Sequence, residues 1–350
     1  MTDVPGASQP QDQTGGPVLD RLAFERLTMA HRRALKLHCY RMMGSLHEAD
    51  DLVQDTLLRA WRRRAQFDGR GSARGWLHAI ATNACLNAIK VRSSARRILE
   101  QPGRPPTEGP ATAGLAAELS WLEPYPDAEL PDIADGEPGP DARYETREAV
   151  RLAFVAAIQL LPPRQRAALL LCDVLGWSAA ETAQLLGGSV ASINSALQRA
   201  RATLALHYPE GRPLQQSRPD RDEALLLERY IRAWQAASLE GLVNLLREDA
   251  IYHMPPWRDW YQGRQAIRAF MATVWGNFAG YRAVATRASG QPAVALYAQR
   301  HQDPIWRAHS LHVIEPMDGG ISSLTIYIGP LGPGLFGAFG LPPVWAGPKV

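Results

Sequence analysis

Five side chains in the last third of this 350-residue chain have the chemistry to move protons: His253, Asp259, His301, His309 and His312. Trp257, Trp260, Tyr261, Trp275 and Tyr297 lie among them. Together with His253 they are candidates to line an apolar pocket, or simply to fill a core. No two of the ionisable groups are fixed as a dyad by local spacing. His309 and His312 are three apart, so on a regular strand they fall on opposite faces and at most one points inward. A second chemistry, recognition of nucleic acid, is written in amides and cations. Asn83, Asn87 and Lys90 stand at i, i+4 and i+7 on one helix flank, and the run continues into Arg92, Arg96 and Arg97. Amides suit base edges and cations suit phosphates. Ser192, Asn194, Ser195, Gln198, Arg199 and Arg201 form another such set. A third pattern has no chemistry of its own: Asp51, Gln54, Asp55 and Arg62 surround Leu58 on a polar helix face. That leucine is either tolerated in solvent or the anchor of a docking surface.

These side chains need elements to carry them. Ala49, Leu52, Val53, Leu57, Ala60 and Trp61 recur at three- and four-residue intervals, which predicts a helix over Glu48–Arg64. A second helix follows over Ser72–Arg92. Between them Phe67, two glycines, Arg70 and Ser72 make a loop open to a ligand, with Ser72 placed to cap the next helix. Trp76 is placed either to stack on a base or to join the core beside Leu77 and Ile80. Leu19–Met43 is a further helix. Residues 146–161 read as a helix, and a helix-turn-helix pattern follows: Pro163–Val174, Ser178–Leu186 behind a Ser178/Glu181 capping box, a Gly187-Gly188 turn, and a recognition helix to Leu206. Val190, Ile193, Leu197 and Leu204 are its expected inward face. Beyond residue 221, helices over Asp222–Trp234 and Leu239–Leu246 precede a strand, a Pro-rich loop and a helix. Strands then alternate over Arg282–Ser289, Pro292–Arg300, Trp306–Glu315 and Gly320–Ile328, an α+β cone.

Charge divides the chain in the same places. Residues 21–100 carry 16 Lys/Arg against 7 Asp/Glu, residues 101–145 carry 2 against 10, and residues 146–207 carry 6 against 3, although the whole is only +3. A basic block, an acidic block and a mildly basic block imply separate duties. The expected division is a disordered tail over 1–17, a helical unit over 18–100, an acidic linker over 101–145, the helix-turn-helix over 146–207, a second linker over 208–221, the α+β unit over 222–332 and a tail over 333–350. The acidic linker reads as mostly extended or disordered, with Trp121, Leu122 and Tyr125 its one sticky spot. Cys39, Cys85 and Cys172 are far apart and lack ligand spacing, so neither a metal nor a cofactor is implied. The N-terminus has no apolar signal and no run is long enough to span a bilayer, so the expected location is the cytoplasm, with no membrane partner.

DLVQDTLLRAW, then GWLHAIATNACLN and a basic run, resemble the second conserved region of bacterial sigma factors of the extracytoplasmic-function (ECF) group. LPPRQRAALLLCDVLGWSAAETAQLLGGSVASINSALQRARATL is similar to the fourth region, which in that family reads the minus-35 promoter element. MPPWRDWYQGRQAI and FGAFGLPP resemble a SnoaL-like extension found behind certain members. The DGGGK and NPDKL motifs of the better-described subgroup are replaced here by ASGQPAVALY and IGPLGPGLFG. The resemblance implies two all-α sigma domains followed by an α+β SnoaL-like cone, and a non-enzymatic promoter-recognition subunit. Its partners would be core RNA polymerase and promoter DNA, with an anti-sigma protein or a small ligand open as a further partner. Asp51, Gln54, Asp55, Leu58 and Arg62 would dock on the polymerase. Phe67, Arg70, Ser72, Asn83, Asn87, Lys90, Arg92, Arg96 and Arg97 would take the melted minus-10 strand. Many members carry basic residues where this chain has Asn194 and Ala196, which implies a weaker phosphate grip here. For the extension, contact with protein, sensing of a ligand and catalysis all remain open.

Overall fold

The computed structural model describes residues 20–67, 72–92, 97–99, 104–111, 114, 119–131, 150–207 and 221–345, with only the backbone of Arg92. Arg70, Arg96 and residues 132–149, where the 146–161 helix was expected to begin, lie outside the described residues.

Three helices form the first unit: α1 (Arg21–Met43), α2 (Leu46–Arg62) and α3 (Ala73–Arg92), each packed on the other two. Between α1 and α2 the chain reverses at Gly44, whose φ of +72° closes α1 with an N–H bond to the Tyr40 carbonyl. A Cβ at this position would meet Arg97 Cγ at 2.9 Å, so the turn excludes larger residues twice over. Ser45 caps α2 through the Glu48 N–H. Ala49, Leu52, Val53 and Ala60 are buried, and Leu57 and Trp61 pack at the edge of the same core.

The second unit comprises α4 (Leu152–Gln159), α5 (Pro163–Leu169) with a π-helical continuation over Leu170–Val174, α6 (Ala179–Leu186) and α7 (Val190–His207). The Ser178/Glu181 capping box is present, with Ser178 N to Glu181 Oε2 at 2.8 Å and Glu181 N to Ser178 Oγ at 3.2 Å. Ile193 and Leu197 are buried as expected and Leu204 packs partly, but Val190 is 46% exposed. It stands in the first turn of α7, beyond the reach of the α5–α6 core.

In the third unit α8 (Arg221–Gln235), α9 (Leu239–Val243) and α10 (Arg264–Val274) accompany six strands: β1 (Leu246–His253), β2 (Trp260–Gln262), β3 (Gly280–Ala288), β4 (Gln291–Gln299), β5 (Trp306–Met317) and β6 (Gly320–Tyr327). Their order is β2-β1-β6-β5-β4-β3. The expected meander over β3–β6 is extended by β1, which pairs parallel to β6, so the sheet is mixed. The helix expected to run to Leu246 stops at Val243, and β1 begins at Leu246. One sheet face curls around α8 and α10 and buries Val294, Leu296, Ile314 and Ile326. The other buries Ala293, Ala295, Tyr297, Leu311 and Val313 in one continuous cluster with the two helical units. β4 is therefore buried along both faces, which is why PAVALYA reads as an unbroken apolar run. The chain beyond 332, expected to be a tail, stays packed: α11 (Leu331–Leu335) and a 3-10 turn over Phe336–Phe339 bury Leu335 and Phe336 on this face.

Among the described residues of the acidic linker, Pro105, Pro106 and residues 108–110 are exposed, but the stretch from 121 to 126 is held against the folded units. Trp121, Leu122 and Tyr125 are buried. Tyr40 and Tyr125 rings meet at 4.9 Å, Tyr40 donates its hydroxyl to Glu123 O, and Pro126 bridges to Ala288 of β3. An apolar triplet outweighs the surrounding acids once two domain surfaces meet around it.

Candidate polymerase and promoter surfaces

On α2, Asp51, Gln54, Asp55, Leu58 and Arg62 fall along one stripe about 16 Å long at 1.5 Å per residue. Leu58 is 48% exposed, and Asp51, Gln54 and Arg62 are exposed around it. Asp55 pairs with Arg59 at 2.8 Å, a surface ion pair worth little in stability. The opposite face of α2 already fills the core, so this stripe is the side left in solvent.

The minus-10 candidates divide. Asn83, Asn87 and Lys90 are exposed together on α3. Phe67 and Trp76 rings lie 5.1 Å apart, and Ser72 Oγ accepts from Gly75 N at 3.4 Å, so the start of α3 is capped by the residue expected to cap it. Trp76 sits at the core edge and also lines a cleft, joining the two roles between which spacing alone could not choose. Arg97 departs from expectation. It forms an ion pair with Glu48 at 2.8 Å and donates to Trp121 O, largely out of solvent. The acidic start of α2 and the linker carbonyl hold it in place, so it is not presented as a phosphate ligand here.

Phe67, Ser72 and Trp76 open onto a cleft of about 790 Å³ whose other wall is the helix-turn-helix, through Trp177, Glu181 and Gln184. Contact is close: a Cβ on Gly75 would lie 3.8 Å from the Trp177 ring. The two units are joined at the end of α1. Gln159 Nε2 donates to Arg41 O at 3.0 Å, and the buried Arg166 guanidinium donates to Met42 O, Gln159 Oε1 and the carbonyls of Ile158, Gln159 and Leu161. A helix end leaves its last carbonyls without partners, and here a neighbouring unit supplies the donors. Sequence reasoning missed this joint. Its signal was a Gln and an Arg on otherwise apolar helix faces.

Asn194, Ser195, Gln198 and Arg199 of α7 are exposed, and Arg199 donates to Ser195 Oγ at 2.7 Å. Two other candidates are engaged within the fold. Ser192 Oγ accepts from Ser189 N and donates to Ser189 O, capping α7. Arg201 grips Asp173 with two bonds at 2.7 and 2.9 Å.

The six pocket candidates do not share one cavity. A cavity of about 280 Å³ lies inside the cone, and Trp257 is the one of the six that lines it. Tyr297 faces the opposite side of the sheet and donates to Pro342 O at 2.9 Å, because it alternates with the inward Leu296 and Ala298. His253 likewise lines a cleft outside the cone with Arg97 and Thr325, and burial lowers its pKa to about 4. Tyr261 stacks on Phe270 at 4.4 Å and Trp275 leans on Trp234 at 5.0 Å, both as packing. Trp260 donates its indole N–H to the linker carbonyl of Arg104 at 3.1 Å. His309 and His312 both line the cavity, against the alternation argument. The register explains it: Leu296 pairs with Ser310 but Tyr297 with Ala308, so His309 is the extra residue of a β-bulge and rotates onto the inner face. Among the described residues no cluster of His, Cys, Asp or Glu could hold a metal ion, and no helix is long and apolar enough to cross a membrane.

A basic three-helix unit carrying exposed asparagines, tied to a helix-turn-helix, defines a DNA-binding protein of the sigma-70 class. The comparisons agree: Sigma-70 region 2 matches residues 27–95, Sigma-70 region 4 matches 151–204, and a SnoaL-like domain matches 227–323. The chain is 43% identical over 322 residues to the ECF RNA polymerase sigma factor SigG of Mycobacterium tuberculosis (strain ATCC 25618 / H37Rv), covering 91% of this chain and 84% of that one. It is 31% identical over 186 residues to SigM of M. tuberculosis (strain ATCC 25618 / H37Rv), 53% of this chain and 77% of SigM. The crystal structure of M. tuberculosis SigJ shares the fold with a TM-score of 0.55 at 20% identity, over 92% of this chain and 100% of that one. The chain belongs to the ECF RNA polymerase sigma factors, which bind core RNA polymerase and direct it to promoter DNA.

Proposed function

We propose that the α2 stripe of Asp51, Gln54, Asp55, Leu58 and Arg62 is the contact with core polymerase, and that the α3 flank opens the minus-10 element. Leu58 supplies the apolar anchor and its charged neighbours the rim. Asn83 and Asn87 bond to exposed base edges, Lys90, Arg92, Arg70 and Arg96 hold phosphates, and the Phe67–Ser72 loop accepts an unstacked base. Asn194, Ser195, Gln198 and Arg199 read the upstream element from α7. The bond-making chemistry belongs to the polymerase, no reaction is assigned to the SnoaL-like unit, and the protein acts in the cytoplasm where the polymerase works.

The SnoaL-like unit, in this reading, modulates initiation by stabilising a closed arrangement. Elements at minus-10 and minus-35 are centred about 25 base pairs apart, roughly 85 Å along B-form DNA. A chain with Gly75 against Trp177 cannot place both units on such a site at once. The linker must release before the promoter is engaged. The observation that carries the polymerase contact is the half-exposed Leu58 within its charged stripe. Reconstituted transcription with core polymerase over a genomic promoter library tests it. The full chain directs start sites, and Leu58→Asp, on a solvent face that leaves the fold intact, removes both polymerase binding and those start sites. Retained binding by Leu58→Asp overturns the docking assignment.

A further inference from the structure

The cavity inside the cone has a wall of aromatic and aliphatic side chains, including Trp234, Tyr252, Met254, Phe270 and Met271. Its polar groups are organised. Tyr230 OH lies 2.7 Å from His312 Nδ1, His312 Nε2 lies 2.8 Å from Ser310 Oγ, and Ser310 Oγ lies 3.0 Å from His309 Nδ1. The buried phenol sets the direction of this chain. Among the described residues the hydrogen-bond acceptor within reach of Tyr230 OH is His312 Nδ1. A buried hydroxyl hydrogen left without an acceptor is costly, so Tyr230 gives its proton to His312 Nδ1. His312 then carries its hydrogen on Nε2 and donates to Ser310, and Ser310 donates to His309 Nδ1. The hydrogen of His309 is therefore on Nε2, and His309 is part of the cavity wall. Burial lowers the pKa of His309 to about 4, so at neutral pH the chain is uncharged throughout.

We propose that this cavity is a binding site for a small, neutral, largely apolar molecule bearing one hydrogen-bond acceptor, such as a carbonyl oxygen, held by His309. The volume of about 280 Å³ and interior packing density set a compact ligand, of roughly a dozen non-hydrogen atoms. The bulge at His309 is the device that builds the site, because a regular strand would turn that ring to the opposite face. The site is also wired to the sigma units. Ala111 of the linker forms part of the wall. Just before it, Thr107 N donates to Trp260 O at 2.7 Å and Thr107 Oγ1 to Asp259 at 3.0 Å. A ligand in the cavity therefore touches the segment that joins the polymerase-binding unit to the helix-turn-helix.

The test uses the full chain and two probes of nearly equal shape, the bicyclic ketone 1-tetralone and its hydrocarbon tetralin, in calorimetric titrations. The ketone binds about 5- to 10-fold more tightly, the yield of one hydrogen bond. His309→Phe abolishes that preference while retaining affinity for tetralin. Ala111→Trp lies on the linker, where it leaves the fold of the cone alone, and it weakens both probes by filling the cavity from outside. No heat with either probe, equal affinity for the two in the unaltered chain, or undiminished binding in Ala111→Trp would each overturn the proposal.

Discussion

Glu123 ties the linker to the first unit, and its removal can be worked out from the bonds it makes. Its carboxylate accepts the Leu46 N–H at 2.6 Å and the Ser45 hydroxyl at 3.2 Å, at the positive end of α2. Its backbone N–H donates to Gly44 O at 3.1 Å and its carbonyl accepts from Tyr40. Glu123→Ala leaves the backbone bonds and deletes a charge-assisted contact worth about 1.5–3 kcal/mol, with a helix-end term of about 0.3–1 kcal/mol. Water recovers part of this at a half-buried site, so the expected loss is about 2–3 kcal/mol. Glu123→Gln keeps the shape and one acceptor, and should lose about half as much. Since 1.4 kcal/mol is tenfold in population, the Ala variant should release the linker roughly 30- to 140-fold more often. Amide exchange of Ile98 and Leu122 reads this directly, because the Ile98 N–H donates to Ser120 O and the Leu122 N–H donates to Ile98 O across the docked segment. Faster exchange there, with α3 unchanged, is the expected result. Exchange in Glu123→Ala equal to that of the unaltered chain would refute the idea that this carboxylate holds the linker.

Asn83→Ala should weaken promoter opening by about 1–3 kcal/mol if its amide reads a base edge, measured as the open-complex rate with core polymerase; an unchanged rate removes that role. Arg166→Met keeps the apolar stem but leaves Met42 O and the Gln159 side chain without their guanidinium donor. It should cost about 2–4 kcal/mol in denaturant unfolding, and a loss under 1 kcal/mol would show that the joint is dispensable. His78 is buried, and burial lowers its pKa to about 4. The unfolded chain therefore takes the proton first: stability is full above about pH 6.5, falls as the pH drops toward about 4, and levels off below, with up to about 3 kcal/mol lost. Because His253 and His309 titrate in the same direction, the check compares denaturant midpoints of the unaltered chain and His78→Gln at pH 7.0 and pH 4.5, and an equal pH dependence of the two would contradict it.

Much of the architecture could be read from spacing. The stripe of α2 and the capping box at Ser178 depend on contacts within a turn or two, and those contacts follow from residue order. The Asn83, Asn87 and Lys90 flank was legible for the same reason. What escaped depends on partners far along the chain. Tyr297 looked like a pocket residue until the sheet acquired a second covered face. Arg97 looked like a phosphate ligand until Glu48 and Trp121 closed around it. The histidine pair defeated the alternation rule because a bulge adds one residue to one strand, and no local pattern in AHSLHV announces it. The linker misled by composition: ten acids outnumber the triplet Trp121, Leu122 and Tyr125, but the triplet decides where the segment lies.

The two-sided burial of the sheet has a consequence for how the protein is made. Tyr125 and Leu152 share a core with Leu311 and Val313, which leave the ribosome about 160 residues later, roughly 10–30 s at ordinary rates of synthesis. During that interval the sigma units stand complete in sequence, with the Gln159 and Arg166 joint available but without the sheet face that later packs on them. A newborn chain thus passes through an unlatched period before the sheet arrives, when polymerase and promoter can compete with the cell's own finishing of the molecule.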